Sequence, residues 1–315
     1  MNPDDGDAVV DLVLQGATGP VDAPALRGIE VPPNGVRRID LARTAPNAQV
    51  TAAHLTVVRG RITATARNTW DPLGRGRVTT DFLPADAEPA TASLLLGLPA
   101  KPAQPTLHLA NPGEDEARVS VRFVTKDAVF TPTGAPDIRV APQSYRAVDL
   151  SRLLRGAAAQ GVVGIALESS APVASSVQAL VDDDLVLLAP VPPLRRPGAV
   201  VVPVGEKTMV LGGAERTGVI HVTAYDAAGK ALGDLQVEIG PDRAVSVKPS
   251  RRGGRGHRRA PQHLDPGRRV GPGLRREGRA GDAAAAPGGA CRRRSRPSGP
   301  TSRALSPTSQ SSSVG

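Results

Sequence analysis

Apolar and polar side chains alternate in short runs along most of the chain. Val119, Val121 and Phe123 alternate with Ser120 and Arg122, Ile138 and Val140 flank Arg139, and Val148 and Leu150 flank Asp149. Val163, Ile165 and Leu167 form a fourth run, and Val173 to Val177 a fifth. A period of two predicts strands with one face buried and the other wet. Between the runs stand Asn111-Pro112-Gly113, Thr133-Gly134, Ala141-Pro142 and Ser170-Ala171-Pro172. Proline presets φ and glycine or asparagine tolerates positive φ, so these predict reversals. Nearer the start, Ala53 to Val58 and Ile62 to Ala66 read as a hairpin about Arg59-Gly60, followed by a strand over Val78 to Leu83. Many short strands with regular punctuation predict an all-β sandwich.

The pattern recurs. IEVPPNGVRRIDL at Ile29 to Leu41 returns as IRVAPQSYRAVDL at Ile138 to Leu150, with Asp40 and Asp149, Arg37 and Arg146, and Pro33 and Pro142 all 109 residues apart. Val10, Leu12 and Leu14 land on Val119, Val121 and Phe123 at the same spacing. Matching Arg146 to Arg243, 97 residues on, gives a third and degraded copy at Leu235 to Val247. Units of this length exceed the roughly 20–50 residues of a solenoid repeat and suit a sandwich domain of roughly 100 residues. The chain therefore reads as tandem immunoglobulin-like β-sandwich repeats. The first, 7–100, is expected to lack its first strand, because no counterpart of Thr106 to Gly113 precedes Val9. The second, 104–203, is complete. The third, 204–250, is truncated, since the alternation ends after Val247. Half a sandwich leaves its core open, so 201–250 is expected to be less ordered than 104–200.

Composition sharpens this picture in two places. Aromatic residues make up only 2% of the chain against 40% apolar residues, so the cores must be built from Val, Leu, Ile and Ala. The net charge of +9 resides entirely in 251–315, which holds 15 Arg and 3 acidic residues; residues 1–250 carry 24 basic and 27 acidic side chains. Overall basicity is thus no argument for nucleic-acid binding by the body. The Arg/Gly/Pro/Ala-rich tail cannot bury a core and is expected to be disordered. All four residue types use codons with G or C in the first two positions, so the tail is read as an out-of-frame translation of a GC-rich gene.

Candidate chemistry is sparse. Cys291 is the single cysteine, which excludes an intrachain disulfide and a cysteine-based metal site. Asp182, Asp183 and Asp184 point in alternate directions in an extended chain and lack the spacing of a calcium loop, so they read as a solvated turn. Asp40 and Asp149, beside Arg37 and Arg146, fall in separate repeats and read as exposed ion pairs. His54, His108 and His221 are isolated in strand patterns, His257 and His263 lie in the tail, and no zinc spacing joins them. Ser175-Ser176 sits in a strand rather than a nucleophile elbow, and Gly97 and Gly212-Gly213 are turns or bulges without the lysine of a phosphate loop. No catalytic, cofactor-binding or metal-ligating residue is assigned, no cofactor is expected, and the protein reads as no enzyme. No apolar run reaches the roughly 18 residues of a membrane span. The start, Met1-Asn2-Pro3-Asp4-Asp5, is acidic and polar, unlike a secretory signal.

Several motifs taken in order carry a resemblance: L-x-L-A-N-P-G-E at Leu107 to Glu114, V-S-V-R-F at Val119 to Phe123, I-R-V-A-P at Ile138 to Pro142, Y-R-A-V-D-L at Tyr145 to Leu150 and S-S-A-P-V-A-S-S-V at Ser169 to Val177. Over about residues 8–249 the chain resembles secreted actinobacterial proteins, described as large secreted proteins of a family of unknown function. The resemblance implies an exported, β-rich protein in an envelope or extracellular setting and brings no catalytic motif. The function expected is a non-catalytic structural or binding module whose partner is a cell-envelope protein or polymer. Its alternatives are accessory domains of an envelope enzyme, or nonspecific polyanion binding through the Arg-rich tail by counterion release. Specific nucleic-acid recognition is not expected, because the tail offers no aromatic platforms.

Overall fold

The computed structural model describes residues 1–46, 52–71, 74–85, 88–156, 159–202 and 205–248. It is all-β, with 50% strand, 3% helix and several sheets. The tail over 251–315, with the disorder and reading frame expected of it, lies outside the described residues.

The first sheet is built on β1 (Ala8–Gly16), which pairs antiparallel with β2 (Gly19–Val21), β3 (Ile29–Val31) and β4 (Ala52–Arg59). Its core is Ala8, Val10, Leu12 and Leu14 of β1 with Leu26, Ile29 and Val31. The hairpin expected about Arg59-Gly60 does not form. β4 runs along β1, from Gln15 opposite Ala52 to Val9 opposite Arg59, and β5 (Thr65–Trp70) pairs instead with β6 (Thr79–Pro84). The short β2 and β3 share one edge of the long strand β1, and β4 takes the opposite edge. β7 (Ala90–Leu96) leaves this region altogether and enters the next sheet.

That sheet contains β8 (Ala103–Asn111), β9 (Ala117–Val124), β10 (Val129–Phe130), β11 (Ile138–Val140), β12 (Ser144–Asp149), β13 (Gly164–Val181) and β14 (Asp184–Leu188). The strand β13 organises it. Gly164–Ser169 is held between β9 and β7, and Ala174–Leu180 pairs with β8, with β14 along its other edge. Ser170-Ala171-Pro172, expected to reverse the chain, is only a bend inside one 18-residue strand. Partners along both halves hold the backbone extended. Pro172, which has no N–H to donate, falls between the two paired segments. The inward residues of both halves meet in one core, with Val119, Val121 and Phe123 from one side and Leu107, Leu109 and Val177 from the other. Gly164 is where β13 comes closest to β7: a Cβ there would lie 2.6 Å from the Leu95 carbonyl oxygen.

The remaining strands form two separate pairs. β15 (Met209–Gly212) joins β18 (Ala244–Val247), and β16 (Gly218–Tyr225) joins β17 (Ala231–Ile239).

One frame recurs in all three places. Ala8 faces Val31 and Val10 faces Ile29; Ala117 faces Val140 and Val119 faces Ile138; Gly218 faces Ile239 and Ile220 faces Val237. The third copy is therefore displaced from the spacing read in the sequence. Val140 corresponds to Ile239 and Pro142 to Pro241, a separation of 99 residues, so the match of Arg146 to Arg243 at 97 is coincidental. The residue after each of these prolines adopts positive φ: Asn34 at 50°, Gln143 at 50° and Asp242 at 53°. A proline followed by a left-handed residue closes a tight turn, and that turn is a conformational marker of the repeat.

Candidate functional site

The most perturbed titratable groups lie on the outer face of β8 and β12. Alternation along β8 sends Leu107 and Leu109 into the core and His108 outward. There its Nδ1 hydrogen-bonds the Tyr145 hydroxyl, and the two rings stack with centroids 5.9 Å apart. Outward does not mean wet. The end of β1 reaches this face, where Gln15 Nε2 donates to the Asn111 carbonyl at 3.3 Å, and Tyr145 is only 6% exposed. Burial lowers the His108 pKa and pushes Tyr145 up to about 12. His108 Nε2 is buried with no hydrogen-bond partner. The imidazole is half-buried, and its partner is the Tyr145 hydroxyl.

The second feature is a buried asparagine clamp. Asn111 Nδ2 donates to the carbonyls of Asp115 at 2.7 Å and Val140 at 3.1 Å, and its Oδ1 accepts from Gly113 N at 3.0 Å. Asn2, 109 residues earlier, donates to Gly6 at 2.6 Å and Val31 at 3.1 Å and accepts from Asp4 N at 3.0 Å. The expectation that nothing before Val9 corresponds to Thr106 to Gly113 is thus corrected in part. The Asn-Pro turn is present at Asn2-Pro3, and only the strand before it has no counterpart among the described residues. Carrying the 109-residue alignment back to position 2 would have exposed it.

The other residues singled out in the sequence are not brought together. Asp182 and Asp183, at φ 50° and 66°, form the turn between β13 and β14. Asp184 hydrogen-bonds the Thr79 hydroxyl. Hydrogen bonds from the Ser151 side chain and from Ser151 N at 2.8 Å hold the Asp149 carboxyl below its usual value, and Asp40 accepts from Arg43 N at 3.2 Å. The expected pairs with Arg146 and Arg37 are replaced by these caps, and Arg146 donates to the Arg139 carbonyl instead. Short side chains beside a chain reversal find backbone N–H groups sooner than a long arginine. His54 and His221 are exposed on β4 and β16. Ser175 is buried, and its hydroxyl has no partner. Gly97 has positive φ, Gly212 ends β15 and Gly213 follows it. His257, His263 and Cys291 lie outside the described residues. Among the described residues no three His, Cys, Asp or Glu side chains converge on a metal site, and no helix is long and apolar enough to cross a membrane.

A groove of about 500 Å³ runs over the polar face of β9, lined by Arg118, Ser120, Thr131, Asp137, Glu168 and Ser169. Its charges are matched: Arg118 lies 3.7 Å from Glu116, Arg139 lies 3.0 Å from Asp137, and Arg122 pairs with Glu168.

Fold and surface together define an all-β protein in which, among the described residues, a strand-and-turn frame recurs three times. The chain belongs to the family of unknown function DUF5719, whose model matches residues 1–250. No curated protein and no solved structure matches it.

Proposed function

We propose that the protein is a non-catalytic structural or binding module of the cell envelope, exported, and built from tandem immunoglobulin-like sandwiches. The observation that carries this reading is strand sharing. β7 follows the first frame in sequence but pairs with β13 of the second. β6 supports β14 through side chains: Leu185 N donates to Thr79 Oγ1 at 2.9 Å and Leu187 N to Asp81 Oδ2 at 2.7 Å. Gln15 reaches Asn111. Repeats joined only by flexible linkers reorient freely, whereas shared strands make a continuous stiff body suited to spacing or presenting a binding surface. The single core fed by both halves of β13 favours the sandwich architecture, and the resemblance to secreted actinobacterial proteins favours the envelope. Incubating the purified chain with isolated envelope fractions tests the proposal. Saturable retention that survives high salt is expected, and recovery of all the protein in the soluble fraction would overturn it.

A further inference from the structure

The third repeat keeps the frame of the second but has three features that one absent strand accounts for. β9 pairs with β11 and β10 and also with β13, whereas among the described residues β16 pairs with β17 alone. β8 pairs with both β12 and β13, whereas among the described residues β15 pairs with β18 alone. The third feature is the apolar triplet that precedes each frame. Leu94-Leu95-Leu96 lies in β7 against β13 and Leu95 is 0% exposed; Val200-Val201-Val202 has no strand partner among the described residues and Val201 is 96% exposed. In the second repeat all three places touch a single element, β13.

We propose that the third repeat is an acceptor for an extended strand supplied by another protein, with the pattern of β13: two runs of alternating apolar residues joined by a bend. This deepens the binding reading above and rests on it. The mode is strand addition, in which main-chain hydrogen bonds supply affinity and pockets for alternate side chains supply selectivity. The second repeat displays the bound state, with Ile165, Leu167, Val173 and Val177 of β13 all buried. The chain's own sequence at the corresponding distance does not fit. At a separation of 99 residues, Gly164–Val181 maps to 263–280, which holds Pro266, Pro272 and five arginines. Prolines interrupt a strand ladder, and arginines at inward positions would bury unpaired charge.

The test is hydrogen exchange on the full-length chain with a synthetic peptide of the β13 sequence, Gly164–Val181. At peptide ten times above its Kd, amides over 218–225 and 199–202 are expected to exchange about ten-fold more slowly, saturating at one peptide per chain. A peptide carrying I165D, L167D and V177D is expected to leave them unchanged. Absence of protection would overturn the proposal. So would amides over 218–225 that already exchange as slowly in the isolated chain as those over 117–124, since the edge would then be filled from within. Protection that rises with chain concentration alone would replace the partner strand by a second copy. Envelope retention of the same preparation separates the two readings: retention without peptide binding sinks only this one.

Discussion

The second and third repeats are nearly a deletion experiment carried by one chain. Both form the same hairpin register, the same proline turn and the same pairing between the strands before and after it. Among the described residues only the second has a strand like β13. In the second, Val119, Val121, Phe123, Ile138 and Val140 are sealed in a common core; in the third, Val237 and Ile239 are buried while the inward Ile220 and Val222 of β16 are only half-buried. The frame strands therefore form from local pattern and turn chemistry, and burial comes from the one strand of long sequence separation that crosses both half-sheets. The first repeat teaches the converse. It has β4 in the place of the first half of β13, with Gln15 facing Ala52 as Val124 faces Gly164, but no strand in the place of β8 among the described residues. Residues 36–40, matching Tyr145–Asp149 of β12, are irregular, and β5 and β6 stand as a separate hairpin.

The sharpest way to break this comparison is the apolar triplet. Leu95→Ala removes a fully buried side chain from the second core and is expected to cost about 2–5 kcal/mol. Val201→Ala, at the matching place in the third repeat, is expected to stay within about 0.5 kcal/mol. Urea unfolding of both variants measures the difference. Equal losses would mean that the third repeat is as closed as the second.

The asparagine clamp gives a smaller contrast. Asn111→Ala removes a buried side chain's hydrogen bonds to three carbonyls and from one N–H of a turn and is expected to cost about 1–3 kcal/mol. Asn2→Ala breaks the corresponding bonds in a smaller core whose turn lies beside the chain end. Its effect is expected mainly in local hydrogen exchange around Val31, with a smaller shift of the urea midpoint.

Much of this was legible beforehand because it is local. Alternation locates β9, β11 and β12, and the spacing of Asp40 from Asp149 reveals the first two copies. What was lost depends on partners distant in sequence. Ser170-Ala171-Pro172 has turn composition, yet pairing on both sides keeps it extended. β7 has the composition of any apolar strand, and nothing local says that it crosses into the next sheet. The third copy was misplaced by two residues because a matched arginine outweighed the conformational marker, a proline followed by positive φ. His108 read as an isolated histidine because alternation says only that it points away from the core, and says nothing of Tyr145 or Gln15 on that face.

The finest test addresses that enclosed face through pH. The burial that lowers the His108 pKa keeps the folded chain from binding a proton that the unfolded chain accepts. Stability contributed by the neutral form is therefore present above the ordinary histidine value and is lost as pH falls through the lowered one. Tyr145 acts at the other end. Its pKa, raised from 10.0 to about 12 by burial, contributes stability below pH 10 that is lost as pH climbs toward 12. Urea midpoints across pH 5 to 7 are expected to slope downward on the acid side in the parent chain and to flatten in His108→Gln. Tyr145→Phe is expected to flatten the alkaline arm. If both slopes survived both substitutions, the enclosure of this face by the first repeat would be wrong, and with it the view that the perturbed groups serve the junction between repeats.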